Sequence, residues 1–93
     1  MLGINEYFEG KVKSISFQGN DSPATIGVIS PGEYEFSTSK KEIMTVISGI
    51  LEVQLKDETS FKKYQKNETF SISAGEKFKV RSTENVAYLC LYY

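Results

Sequence analysis

The segment GEYEFSTSKKEIMTVISGILEV, residues 32–53, decides the fold of this 93-residue chain. Near its two ends, residues 34–37 and 51–54 alternate between apolar and polar side chains, which is the period-two pattern of strands packed on one face. Between them, Glu42 is followed by Gly49 after six intervening residues, and the whole chain contains no histidine. The segment therefore predicts paired strands around a carboxylate that has no imidazole beside it.

The same alternation recurs along the chain, and we expect the apolar members to pack inside while the polar members face water. The run IMTVI, residues 43–47, is apolar nearly throughout and predicts a strand in the middle of a sheet with both faces covered. Turn-forming residues separate the runs. The sequence predicts an all-β fold, a single domain over residues 1–93 that forms a sandwich or barrel of short antiparallel strands. The other alternating positions are Ile15 and Phe17 against Ser14 and Ser16, Ile26 and Val28 against Thr25 and Gly27, Phe70 with Ile72, and Phe78 with Val80.

The spacing from Glu42 to Gly49 is similar to the first signature of cupins, small barrels in which a histidine pair and this glutamate usually hold a metal. The second cupin signature aligns at Gly75, with Asn67 in its first glycine position and Phe78 in its histidine position. This resemblance implies a cupin-like jelly-roll barrel. Because neutral imidazole is the commonest catalytic metal ligand, we expect the mouth of this barrel to serve chemistry without a metal.

Composition restricts the partners of the chain. Eleven Lys and Arg stand against twelve Asp and Glu, so no net field attracts nucleic acid or an anionic membrane. No apolar run approaches the roughly 20 residues that span a bilayer, and the N-terminal residues lack the basic-then-apolar pattern of a signal peptide. The single Cys90 suits a reducing compartment. We expect a cytoplasmic protein with no nucleic-acid or membrane partner.

Four segments together resemble the small bacterial pyrimidine/purine nucleoside phosphorylases of cupin fold. The resemblance implies an enzyme that splits purine and pyrimidine nucleosides with inorganic phosphate as co-substrate, giving free base and ribose 1-phosphate. It also implies a homodimer that uses no metal or other cofactor. One departure is Leu91, where some members carry arginine before the penultimate aromatic. The segments are NEYFEGKVKSISF (5–17), GEYEFST (32–38), EIMTVISGILEV (42–53) and YLCLYY (88–93).

Phosphorolysis of an N-glycosidic bond passes through an oxocarbenium-like transition state, as glycoside hydrolysis does. Glu42, in the usual metal-ligand position, is the predicted catalytic residue, binding ribose hydroxyls or stabilising charge at the anomeric carbon. Tyr34 and Thr38 share one face of their strand and can supply a stacking ring and a hydroxyl. Tyr88 is a further predicted substrate contact at the mouth, and Lys13 is a predicted phosphate ligand.

Each assignment has a structural alternative. Glu42 could pair with a neighbouring lysine, Tyr34 could belong to the barrel core, and Thr38 could merely end a strand. Lys13 could be part of a solvated edge that blocks aggregation. Cys90 fits a core position better than a nucleophile, because no histidine is present to activate it.

Two classes of function remain open on the residues alone. The first is the metal-free phosphorylase, and the second is a non-catalytic barrel that binds a sugar or nucleotide or serves as a dimeric interaction module. For the dimer, we expect the contact to include Tyr7 and Phe8, since a small barrel can scarcely bury two terminal aromatics alone.

Overall fold

The computed structural model describes residues 2–93, which form ten β-strands and no helix. Six strands form one sheet in the order β1-β2-β3-β10-β5-β8, and four form a second sheet in the order β4-β9-β6-β7. No helix in the described part of the chain is long and apolar enough to cross a membrane. The strands are β1 (Gly3–Tyr7), β2 (Val12–Gln18), β3 (Pro23–Ile29), β4 (Gly32–Ser37), β5 (Glu42–Ser48), β6 (Leu51–Gln54), β7 (Lys62–Tyr64), β8 (Thr69–Ile72), β9 (Lys77–Ser82) and β10 (Val86–Tyr92).

The pairing of the last eight strands is nested. β3 pairs with β10, β4 with β9, β5 with β8 and β6 with β7, each pair antiparallel. Such nesting results when one long antiparallel hairpin folds over on itself, which is the jelly-roll arrangement. The prediction of an all-β, cupin-like jelly roll of short antiparallel strands is confirmed.

The core lies between the two sheets, where the strongest alternating runs point their apolar residues inward as predicted. On β6, β8 and β9 the outward neighbours are charged, amide or hydroxyl side chains, so the two faces of each strand differ clearly in their affinity for water. The inward apolar residues of these three strands are all buried: Leu51, Val53, Phe70, Ile72, Phe78 and Val80.

The predicted orientation is wrong for β2 and β3, where the polar residues face the interior. Ser14 and Thr25 are 5% and 7% exposed, whereas Ile15 and Ile26 on the alternate face are 46% and 47% exposed. Ser16 pairs with Thr25 in this register, so the hydroxyls of the two strands are neighbours. The middle of these two strands therefore has a polar inner face and an apolar outer face, while Val12 and Ile29 at one end belong to the core.

The prediction that both faces of IMTVI are covered is also wrong. β5 does lie inside the six-stranded sheet, between β10 and β8, and Met44 and Val46 are buried on its inner face. On its outer face, Ile47 is 41% exposed, and Ile43 and Thr45 are half-buried. An interior strand of an antiparallel sheet can leave one face open to solvent.

The turn positions follow the predicted signature. Asn67 and Gly75 have φ angles of 71° and 75°, in the left-handed region that asparagine and glycine tolerate best. Gly49 has a φ of 87°, and a Cβ placed there would lie 2.6 Å from the carbonyl oxygen of Asn85. The glycine that follows Glu42 after six residues is therefore required by the tight turn between β5 and β6.

Candidate functional site

A cavity of about 200 Å³ lies between the sheets, partly open to solvent. Its wall from the six-stranded sheet is the unusually polar inner face, and its wall from the four-stranded sheet is aromatic. Such a mixture of apolar surface and a few convergent polar groups is typical of small-molecule sites. The lining residues are Tyr7, Ser14, Ile29, Phe36, Ser37, Glu42, Met44, Phe78, Tyr88, Cys90 and Tyr92.

Glu42 provides the one carboxylate among these lining residues. It opens β5 and is aligned with Ile72 of β8 on one side and Tyr92 of β10 on the other. The thiol of Cys90, from β10, donates a hydrogen bond to Glu42 Oε1 with an S–O distance of 3.4 Å. None of the ion pairs found within residues 2–93 includes Glu42. The alternative of a lysine pair at this position is therefore not supported.

Burial controls the titration of the cavity walls. Desolvation raises the pKa of Glu42 above its ordinary 4.5, and the hydrogen bond from Cys90 opposes this by favouring the carboxylate. Burial, followed by the nearby charge of Glu42, raises the pKa of the Cys90 thiol to about 12. Burial likewise raises the pKa of Tyr88 to about 12 and that of Tyr92 well above its usual value. Near neutral pH the Cys90 thiol and the Tyr88 and Tyr92 hydroxyls are therefore protonated and can donate hydrogen bonds. Cys90 is not a thiolate nucleophile.

The Tyr88 ring lies flat against the sheet because its neighbour on β3 is a glycine, which leaves space for it. It is paired with Gly27 of β3, and a Cβ on that glycine would lie 2.5 Å from the Tyr88 hydroxyl oxygen. Any side chain at residue 27 would therefore displace the ring. The arrangement fixes the phenol as part of the cavity wall.

Of the five predicted site residues, the structure brings Glu42 and Tyr88 together in the cavity wall. Tyr34 is buried outside it, and its hydroxyl donates to the carbonyl oxygens of Ser30 and Pro31 at 3.0 and 3.1 Å. This phenol anchors the turn that leads into β4. Its neighbour on the same face, Phe36, does line the cavity.

Thr38 and Lys13 also lie outside the cavity. The Thr38 hydroxyl donates to the Ser73 carbonyl oxygen at 2.6 Å and accepts from the Glu76 amide at 3.0 Å, so it ties two turns together. Lys13 lies on the exposed face of β2, and its Nζ is 3.6 Å from Glu6 Oε1. Thr38 therefore has a structural role and Lys13 faces solvent, and neither side chain reaches the cavity.

Sequence reasoning missed several lining residues: Tyr7, Ser14, Ser37, Cys90 and Tyr92. The Cys90 position predicts core packing rather than a cavity wall, and the alternation in β2 predicts that Ser14 faces water. The one available signal was the Ser-x-Ser pair of β2, since two hydroxyls at period two are as consistent with a polar interior as with a wet exterior.

The walls of the cavity carry no lysine or arginine among the described residues. Arg81, the chain's one arginine, faces away from the cavity. Its guanidinium pairs with Glu52 at 3.3 Å and lies 3.8 Å from the centre of the Phe61 ring. Within residues 2–93, no three Cys, Asp or Glu side chains are grouped as a metal site requires.

The fold and site define a small cupin-like barrel whose mouth carries a carboxylate, a thiol and phenols instead of a histidine metal centre. A family model described as "Pyrimidine/purine nucleoside phosphorylase" matches residues 2–92, and the chain belongs to this family. A protein of that name from Marinobacter nauticus is 51% identical over 92 residues, covering 99% of both chains. A similar protein of the same name from Pseudomonas entomophila is 48% identical, covering 99% of this chain and 98% of its own. The family resemblance predicted from the sequence is confirmed.

Solved structures support the fold. A Vibrio parahaemolyticus protein of unknown function superposes with a TM-score of 0.95 at 35% identity, covering 100% of this chain and 99% of its own. A putative ethanolamine utilization protein Q from Salmonella typhimurium shares 16% identity with a TM-score of 0.78, covering 97% of this chain and 77% of its own. The second likeness shows the fold alone.

Proposed function

We propose that this chain catalyses the phosphorolysis of purine and pyrimidine nucleosides in the cavity around Glu42, giving free base and ribose 1-phosphate. The single observation that carries the proposal is a half-buried carboxylate that faces a hydroxyl-rich cavity in a member of this family. The name of the family and of its relatives supports the reaction class.

The reaction places simple demands on the site. A phosphate oxygen forms a bond to C1′ while the C1′–N bond breaks, and the electron pair of that bond leaves with the base. The base nitrogen gains the proton that dihydrogen phosphate gives up overall, so atoms and charge balance. Because positive charge develops on C1′ and the ring oxygen, a carboxylate beside that centre stabilises the transition state more than the ground state.

Glu42 is suited to that electrostatic role. Its position in a partly desolvated wall strengthens its field compared with a carboxylate in water, and the Cys90 thiol favours its ionised form. The hydroxyls of Ser14, Ser37 and Tyr88 line the same cavity and are suitable donors and acceptors for ribose and phosphate oxygens.

We further propose that the reaction needs no metal ion and no organic cofactor, with phosphate as co-substrate. The chain has no histidine, and Glu42 and Cys90 are the two lining residues of metal-ligating type. Two such ligands, one of them a thiol of high pKa, are too few for a tightly held transition metal.

We propose a homodimer formed through the exposed face of the six-stranded sheet. Ile4, Ile15, Ile26 and Leu89 lie in one row across β1, β2, β3 and β10. Six strands about 4.8 Å apart span roughly 24 Å across the sheet, and the four inner strands, seven residues long, span roughly 24 Å along it. Side chains standing on such a sheet present an area near the ~800 Å² per partner of a stable interface, and a second copy offers the same apolar face about a two-fold axis.

The predicted contact at Tyr7 and Phe8 has a competing role within one protomer. The Phe8 ring packs 4.9 Å from that of Tyr34 and 5.5 Å from that of Phe36, so this hairpin covers the barrel end. Both side chains remain about half exposed, as Ile15 and Ile26 do, but the exposed apolar residues of the sheet are more numerous and form one continuous row. We therefore favour the sheet as the main interface.

A cytoplasmic location is also proposed. The single cysteine is a free buried thiol, as in proteins of reducing compartments. Neither the charge balance of the sequence nor the cavity indicates a nucleic-acid or membrane partner.

The test is an assay for phosphate-dependent base release. Purified protein is incubated with uridine, adenosine and guanosine, with and without phosphate, and free base and ribose 1-phosphate are quantified. The proposal requires both products in equal amounts and none without phosphate. Ligand binding without turnover would instead support a non-catalytic barrel that binds a sugar or nucleotide.

A further inference from the structure

A second, more open groove of about 390 Å³ adjoins the cavity and shares two of its walls, Tyr7 and Tyr92. Its floor is the inner face of β1, β2 and β3, including Asn5, Ser16 and Thr25. Of the described residues that line it, none carries a charge. The groove and the cavity are therefore neighbours separated by Tyr7 and Tyr92, with Glu42 on the cavity side.

The hydrogen bonds on the floor leave both donors and acceptors available. Asn5 Nδ2 donates to Ser14 Oγ at 3.2 Å and to Ser16 Oγ at 2.8 Å, which uses both amide protons and leaves Asn5 Oδ1 as an acceptor. Ser16 accepts this bond, so its own proton is available for a ligand. Thr25 Oγ1 and the Tyr92 hydroxyl share one hydrogen bond of 3.0 Å, so one of these two hydroxyls keeps a proton to donate.

The cavity and the groove differ in shape and charge, and these differences suit different parts of a nucleoside. The enclosed cavity is smaller than the roughly 300 Å³ at which pockets for drug-sized ligands begin, so it does not hold a whole nucleoside together with phosphate. The ribose is common to all substrates, and it belongs beside Glu42. Purine and pyrimidine bases differ in size, and an open groove accommodates both because the larger ring system can extend toward solvent.

We propose that the groove floored by Asn5, Ser16 and Thr25 is the nucleobase subsite of this enzyme. The inference rests on the proposed phosphorolysis. An uncharged floor that offers both donors and acceptors matches the edge of a neutral base, and Tyr7 and Tyr92 supply aromatic walls for stacking. Phosphate has no cationic partner in this groove, so we place it with the ribose at the hydroxyls of the cavity, where it can reach C1′.

The first test uses a variant with a narrower groove and measures kcat/KM for purine nucleosides relative to uridine. Ser16→Leu is expected to lower kcat/KM for adenosine and guanosine by about tenfold or more relative to uridine, the scale at which a pocket discriminates between ligands that differ in size. The KM for phosphate is expected to stay unchanged. Ser71→Leu, on the exposed face of β8, is the matched control and should leave the ratio unaltered.

A second measurement does not depend on a variant folding. In a titration of the wild-type protein followed by amide NMR, adenine alone should shift the signals of Ser16 and Thr25, and inorganic phosphate alone should not. A ratio unchanged in a folded Ser16→Leu variant, or adenine shifts confined to the surroundings of Glu42, would overturn the subsite. Absence of phosphorolysis in the wild type would instead overturn the proposed function, so the two failures are distinguishable.

Discussion

Replacing Glu42 by glutamine removes the negative charge from the cavity wall and keeps the shape of the side chain. If the carboxylate stabilises the oxocarbenium-like centre, the variant should bind nucleoside almost normally and turn it over slowly. In kinetic terms, kcat falls while KM changes little, because the lost interaction is made mainly in the transition state.

The cavity sets the magnitude. A space of about 200 Å³ is about 7 Å across, so a carbon near its centre lies about 4 Å from an oxygen in the wall. Opposite unit charges at about 4 Å interact with about 4 kcal/mol at an effective dielectric constant near 20. Partial charge on the sugar and the half-exposed position of Glu42 make this value an upper bound, so we expect a loss of about 2–4 kcal/mol, roughly 30-fold to 1,000-fold in kcat.

Stability should move in the other direction. The folded-state pKa of Glu42 is raised above 4.5 by burial, so ionisation favours the unfolded state. The contribution of this group to stability is fully present below about pH 4.5 and is lost as pH rises through the folded-state pKa. At pH 7 the Glu42→Gln variant should therefore unfold at the same temperature as the wild type or higher, and this advantage should vanish in acid.

The assay is phosphate-dependent base release across pH, measured beside the thermal midpoint. In the wild type, kcat/KM should rise with pH through the pKa of Glu42, and the variant should lack that limb. Glu35→Gln, an exposed position of β4, is the control. Wild-type turnover in Glu42→Gln, or slow turnover explained by a fall in the thermal midpoint, would refute the catalytic assignment.

Four further predictions address the remaining features of the molecule. Cys90→Ala removes the hydrogen bond that lowers the pKa of Glu42, so the acid limb of kcat/KM should move to higher pH, and an unmoved limb would disprove that coupling. Activity should survive exhaustive chelation, and loss of activity with recovery on adding one metal would contradict metal independence. Ile26→Lys should give a monomer by sedimentation while Phe8→Lys stays dimeric; the opposite pair of results would place the contact at the hairpin. Thr38→Val leaves the Glu76 amide without its acceptor and should cost about 1–3 kcal/mol of stability with kcat unchanged, so an unchanged thermal midpoint would show that the hydroxyl is dispensable.

The parts of the fold that could be predicted from sequence are those where the two faces of a strand differ strongly. On β6, Leu51 and Val53 alternate with Glu52 and Gln54, and a charged side chain has one favourable direction. On β2 and β3, isoleucines alternate with serine, threonine and glycine, which are small enough to be buried when hydrogen-bonded. Neither direction is excluded there by local chemistry, so the orientation depends on tertiary structure.

The candidate site could be predicted where the motif fixes a position, as at Glu42 and Tyr88. It could not be predicted where the function depends on distant hydrogen bonds. The hydroxyls of Tyr34 and Thr38 look available in the sequence, but in the fold each is used by a backbone group of a turn. Conversely, Tyr92 belongs to an apolar segment and looks like core, yet its hydroxyl meets Thr25 at the boundary between the cavity and the groove.

The reversed polarity of β2 and β3 connects the two proposals. Burying Ser14 and Thr25 forgoes apolar burial that Ile15 and Ile26 would have provided, and exposing those isoleucines leaves apolar area in water. An isolated protomer gains nothing from either choice. Both arrangements become favourable in a dimer with bound ligand. A polar ligand in the interior forms hydrogen bonds with the hydroxyls of Ser14 and Thr25, and a second protomer removes Ile15 and Ile26 from water. Because successive residues of β2 and β3 point alternately to the dimer interface and to the groove, we expect dimerisation to restrict the motion of the strands that form the groove floor.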